Sequence, residues 1–82
     1  MVIVAFEENF KKKISKLKDK TIKEKIIKQI TKIKNNPNIG KPMKFSRKGT
    51  REIYVSPYRL SYQFIAEKDL LLFLDVYHKD LQ

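Results

Sequence analysis

The chain has 82 residues, with 19 Lys and Arg against 9 Asp and Glu, which gives a formal net charge of +10. That length leaves room for one hydrophobic core and no second, so residues 1–82 are read as a single domain. The absence of cysteine excludes disulfides, thiolate zinc sites and a Cys nucleophile, and a single histidine offers no metal-ligand spacing, so no cofactor is expected. The basic excess has two readings: a surface that attracts phosphate-rich or acidic partners, or a solvated lysine coat.

In chain order, Met1-Val2-Ile3-Val4-Ala5-Phe6 is too short to cross a bilayer and is followed by Glu7 and Glu8 rather than preceded by cations. It reads as a first strand in a cytoplasmic protein. Phe6, Phe10, Ile14 and Leu17 then recur at helical spacing, with Lys11, Lys12 and Lys16 on the opposite side. After a break near Asp19-Lys20-Thr21, the isoleucines at 22, 26, 27, 30 and 33 predict a second amphipathic helix, and Thr21 with Glu24 resembles a capping box. Asn35-Asn36-Pro37 ends it, because the residue before proline is biased away from helix.

From residue 38 to 50 periodicity is lost, and Gly40, Pro42 and Gly49 accompany Lys41, Lys44, Arg47 and Lys48 in a basic connecting loop. Beyond it the period becomes two. Ile53 and Val55 alternate with Glu52 and Tyr54, Ser56-Pro57 turns the chain, and Tyr58, Leu60, Tyr62 and Phe64 alternate with Arg59, Ser61 and Gln63. Glu67-Lys68-Asp69 predicts another turn. The apolar run from Leu70 to Tyr77 then predicts a central strand. The resulting fold class is α+β, in the order β-α-α-β-β-β, with a helical hairpin on one face of a mostly antiparallel four-stranded sheet.

Strand parity sorts the side chains between the two faces. Tyr58, Leu60, Tyr62 and Phe64 are expected beneath the helices, with Leu70, Leu72, Leu74 and Val76 as the core face of the last strand. Glu52, Tyr54, Arg59, Ser61, Gln63, Asp75, Tyr77 and Lys79 are then left on the open face, and Arg59 has Glu52 and Asp75 as candidate ion-pair partners. By the same parity His78 falls on the core-facing side.

Four segments in order resemble the RelE/ParE superfamily of toxins from prokaryotic toxin–antitoxin pairs. Asn36-Pro37-Asn38-Ile39-Gly40-Lys41-Pro42 is similar to its Asn-Pro-x-x-Gly-x-Pro break, and Gly49-Thr50-Arg51-Glu52-Ile53-Tyr54-Val55 to its Gly-x-Arg-Glu-Leu-x-Val segment. Tyr58-Arg59-Leu60-Ser61-Tyr62 resembles its Tyr-Arg-Leu/Ile-x-Tyr strand. The run from Val76 through His78 and Lys79 to Gln82 resembles the terminal His-Lys/Arg segment of the RelE and HigB-like branches.

The resemblance implies a RelE-like fold and a metal-independent endoribonuclease that cuts messenger RNA on the ribosome, by attack of a ribose 2′-oxygen on the adjacent phosphate. Such chemistry requires a base, an acid and cations for the phosphoryl charge. Arg59 maps onto the family's hairpin arginine and is assigned charge stabilisation. His78 and Lys79 map onto the terminal basic segment and share the acid and base roles. Lys44, Arg47, Lys48 and Arg51 are expected to bind RNA, with Tyr54 as a stacking platform. Glu52 and Tyr54 occupy positions where well-known ribosome-dependent members carry lysine or arginine. The alternative branch, typified by ParE, implies binding and inhibition of DNA gyrase without nucleolysis. Either branch implies a cognate antitoxin as partner, no membrane, and a monomer or weak dimer when free.

Overall fold

Residues 2–43 and 49–79 are described by the computed structural model of the chain. Its elements are β1 (Ile3–Phe6), α1 (Glu8–Lys16), α2 (Lys20–Asn35), β2 (Lys41–Pro42), β3 (Arg51–Val55), β4 (Tyr58–Ile65) and β5 (Leu70–His78). They form one sheet in the order β1-β5-β4-β3-β2, in which β1 runs parallel to β5 and every other pair is antiparallel. The sheet thus has five strands rather than four. The addition is the two-residue β2, which pairs Lys41 with Glu52 and Pro42 with Arg51 inside the expected loop.

The two helices start by different means. The backbone N–H of Glu7 donates to Phe73 O at 2.9 Å, tying the β1–α1 junction to β5, while Glu8 in the first turn and Lys13 and Lys16 in the last suit the helix dipole. α2 is capped by Asp19, whose carboxylate accepts from the N–H groups of Thr21 at 2.8 Å and Ile22 at 3.4 Å. Asp19, not Thr21, is therefore the cap, because its short side chain precedes the first free N–H groups. Phe10, Ile26 and Ile33 are buried by the sheet, whereas Ile27 is 61% exposed.

The core sits between the helices and one face of the sheet. The rings of Phe6, Phe10, Phe73 and Tyr62 contact one another in sequence with centroids 5.5 to 6.0 Å apart, joining β1, α1, β5 and β4. Leu60, Tyr62 and Val55 from the hairpin belong to the same core, as expected. In β5 the expected parity fails. Leu71 and Phe73 are fully buried, while Leu70, Leu72 and Leu74 are half-buried. The reason is a bulge: Tyr62 pairs with Phe73 and Ser61 with Asp75, so Leu74 has no cross-strand partner. One extra residue reverses the facing of everything before it, and Val76 returns to the core side.

Two left-handed residues make the sharp turns. Gly49 leads into β3 at φ 95°, and Asp69 leads into β5 at φ 50° after the short 3-10 turn Ala66–Lys68. Both residue types tolerate that conformation.

Candidate functional site

The registers of β3, β4 and β5 set Tyr54 opposite Arg59 and Arg59 opposite Tyr77, so the three form a row across the helix-free face. The next row begins with Glu52 opposite Ser61. Glu52 is only 4% exposed. A carboxylate buried to that degree needs donors. Tyr77 Oη donates to Glu52 Oε2, and Arg59 Nη1 lies 3.7 Å from Glu52 Oε1. Arg59 is half-buried, and its Nε has no hydrogen-bond partner among the described residues.

Tyr54 is 51% exposed, and its hydroxyl donates to Ser56 Oγ at 3.3 Å. The Lys79 ammonium stands 5.6 Å from the centre of the Tyr54 ring, a cation–π geometry. The Lys79 backbone N–H donates to Pro57 O at 3.1 Å, which fastens the end of β5 to the β3–β4 turn. Local pairing thereby brings together residues from three strands: two aromatic rings, a guanidinium, an ammonium and a buried carboxylate.

Among the residues singled out from the sequence, Arg59, Lys79 and Tyr54 converge here. His78 does not. It lies on the helix-covered side, edge-on to Tyr58 at 5.6 Å, beside a groove lined also by Lys13, Lys16 and Leu17. Asp75 is not placed over Arg59 either: it stands opposite Ser61, and its carboxylate pairs with Lys13 of α1 at 2.8 Å. Lys44, Arg47 and Lys48 lie outside the described residues.

Arg51 belongs to a different construction. It is cross-strand to Tyr62 on the core side, and its Nη1 donates to Asn38 O at 3.1 Å and Gly40 O at 2.8 Å. Tyr62 completes the clamp by donating to Pro37 O at 2.7 Å and accepting from the Gly40 N–H at 2.9 Å. Burial pushes the Tyr62 phenol above its ordinary range, opposed by the Gly40 N–H and the Arg51 charge. A Cβ on Gly40 would meet Tyr62 Oη at 2.5 Å, which explains why glycine stands there. The Asn-Pro-x-x-Gly segment is thus recognised by the molecule's own core.

Sequence reading missed the pairing of Glu52 with Tyr77. Parity put both on the open face, but they sit on strands separated by β4, and a pairing across an intervening strand needs the register. Chemically, the cluster offers a fork for phosphate oxygens, a ring for stacking, an ammonium proton and a phenol held by a carboxylate. Among the described residues, no helix is long and apolar enough to cross a membrane.

Comparison with known proteins places these observations. The chain resembles a chain in the crystal structure of the intact E. coli RelBE toxin–antitoxin complex, at 26% identity and a TM-score of 0.80, covering 95% of this chain and 96% of that one. It is similar to a chain of the Mycobacterium tuberculosis RelBE2 toxin–antitoxin complex at 24% identity, a TM-score of 0.83 and 95% and 98% coverage. The fold is shared too with a YoeB/ParE toxin from Agrobacterium tumefaciens, at 18% identity, a TM-score of 0.82 and 94% and 98% coverage. No curated protein matches it by sequence. Residues 4–80 match the family described as the ParE toxin of type II toxin–antitoxin systems, parDE, and that match spans nearly the whole fold, so the chain belongs to this toxin family.

Proposed function

We propose that the chain is the toxin of a toxin–antitoxin pair and acts in the cytoplasm as a ribosome-dependent endoribonuclease that cuts messenger RNA. The observation that carries this reading is the row Tyr54, Arg59 and Tyr77, with Lys79 above Tyr54, on the sheet face left free of helices. Arg59 holds the phosphoryl oxygens through its planar fork, and Tyr54 stacks on an exposed base. Lys79 donates a proton to the leaving 5′-oxygen. All three groups belong to the protein, so this reading requires no metal. His78 braces the end of β5 through Tyr58 and takes no part in the chemistry.

The E. coli and M. tuberculosis relatives were solved as toxin–antitoxin complexes, which supports a cognate antitoxin for this chain. An apolar groove between the helices, formed by Phe6, Phe10, Ile14, Ile26, Ile27 and Ile30 with Lys11 and Lys23 beside it, suits an acidic amphipathic segment of that partner.

Primer extension on messenger RNA from cells expressing the chain tests the activity. New 5′ ends in translated frames are expected, and Arg59→Ala should remove them without unfolding the protein. Ribosome binding should weaken steeply with salt.

The ParE-type reading has its own support: the family match, and a buried carboxylate that offsets the Arg59 charge. It predicts gyrase-linked DNA breaks with no new RNA ends in the same cells.

A further inference from the structure

Glu52 and Tyr77 are unexplained by phosphate binding alone. A carboxylate beneath the only arginine of the open row weakens attraction to RNA. Yet Glu52 is among the most buried polar residues described, and it stands on the side without helix cover. Its partner is informative. Tyr77 gives its hydroxyl proton to Glu52 Oε2, so the phenol oxygen presents only acceptor lone pairs to anything else that approaches. Tyr77 is also the direct cross-strand partner of Arg59. A phosphodiester gripped by Arg59 therefore has an oriented acceptor oxygen beside it, backed by a carboxylate.

Resting on the nuclease reading above, we infer that Tyr77 is a catalytic residue that takes the proton of the ribose 2′-hydroxyl, and that Glu52 is a positioning residue that receives it through the phenol. As the 2′-O–H bond breaks, its proton passes to Tyr77 Oη while the phenolic proton moves to Glu52 Oε2. The 2′-oxygen bonds to phosphorus, the bond from phosphorus to the 5′-oxygen breaks, and the 5′-oxygen takes a proton from Lys79. The products are a 2′,3′-cyclic phosphate and a 5′-hydroxyl. Water carries the Glu52 proton away and restores that of Lys79, and no oxidation state changes. Glu52 thus serves in the slot that would otherwise hold a cation, and the loss of phosphate attraction is the consequence.

The two residues separate in kinetics. Tyr77→Phe keeps the ring but removes the relay, so kcat for cleavage of ribosome-bound messenger RNA should fall by about 10²-fold or more while KM stays nearly constant. Glu52→Gln keeps an acceptor for the phenol but cannot take a proton, and it unmasks the Arg59 charge. Its kcat should fall to a similar extent while KM decreases. A merely structural lesion would not lower both, since disorder at the site weakens binding. A second measurement uses RNA bearing a 2′-O-methyl group at the scissile position, which binds but cannot react. Glu52→Gln should hold this RNA more tightly than the wild type, and Tyr77→Phe about equally. Thermal melts of both variants check folding.

Undiminished turnover in Tyr77→Phe overturns the relay and leaves the nuclease reading standing, as does weaker binding of the methylated RNA by a folded Glu52→Gln. A wild-type protein that binds ribosomes and makes no cut overturns both.

Discussion

Arg51 and Arg59 lie on adjacent strands of one hairpin and differ in where the sheet points them. Arg51 faces the helices, and its guanidinium is committed to the carbonyls of Asn38 and Gly40, so that it holds the loop after α2 against Tyr62. Arg59 faces away from the helices, is half-buried beside Glu52, and keeps a buried Nε without a hydrogen-bond partner among the described residues. The first arginine is spent on stability. The second is available for a ligand, and nothing in the composition distinguishes them. The same division runs through the tyrosines: Tyr62 is a fully buried clamp, whereas Tyr54 is half exposed on the open row.

Substitutions on the covered face should therefore act chiefly on stability, and those on the open face chiefly on activity. The largest stability effect is expected for Phe73→Ala, which empties the centre of the aromatic cluster and should cost about 3–5 kcal/mol in urea unfolding. Next comes Arg59→Ala, whose loss of transition-state charge stabilisation should lower RNA cleavage by roughly 10²–10³-fold. Because its removal leaves the buried Glu52 carboxylate without its cation, stability should fall as well, by about 1–3 kcal/mol in urea unfolding, and cleavage is compared in protein shown to be folded. A well-folded Arg59→Ala that cleaves normally would erase the distinction between the two arginines.

Gly40→Ala should destabilise by about 1–3 kcal/mol, since the new methyl group meets the Tyr62 ring and hydroxyl. Tyr62→Phe leaves the Gly40 N–H and the Pro37 carbonyl without their shared partner, at about 1–3 kcal/mol. It should also alter the response to alkali. Burial raises the Tyr62 phenol above the ordinary value of 10.0, so its contribution is full below that pH and is lost as pH rises through the folded value. Unfolding followed from pH 9 upward should therefore show a shallower alkaline loss for Tyr62→Phe than for the wild type. The smallest effect is expected for Asp75→Asn. The Lys13–Asp75 pair is partly exposed, at 40% and 32%, and asparagine keeps an oxygen for Lys13, so the change in stability should be less than ~1 kcal/mol.

Much of this was legible in the residues. Helical spacing located α1 and α2, alternation located β3 and β4, and the Ser56-Pro57 and Glu67-Lys68-Asp69 turns fell where turn chemistry put them. Parity placed Arg59 and Tyr54 together correctly, because β3 and β4 are joined by a short turn that sets their register. It failed in β5, where leucines at 70, 71, 72 and 74 make both faces apolar and leave the bulge without a signature. Asp75 follows the bulge, opposite Ser61, and its carboxylate pairs with Lys13 of α1 rather than with Arg59. The cap of α2 moved by two residues, since Asp19 and Thr21 are equally plausible caps until the first free N–H is known.

What the sequence determined by itself was the order of every element but the two-residue β2, the basic excess and the isolation of Arg59 among polar neighbours. These depend on local periodicity and composition. Tertiary structure decided that Arg51 is a clamp and that Glu52 reaches Tyr77 across β4. Each of these depends on register between segments distant in the chain, and a single unpaired residue in β5 was enough to change which side chains meet.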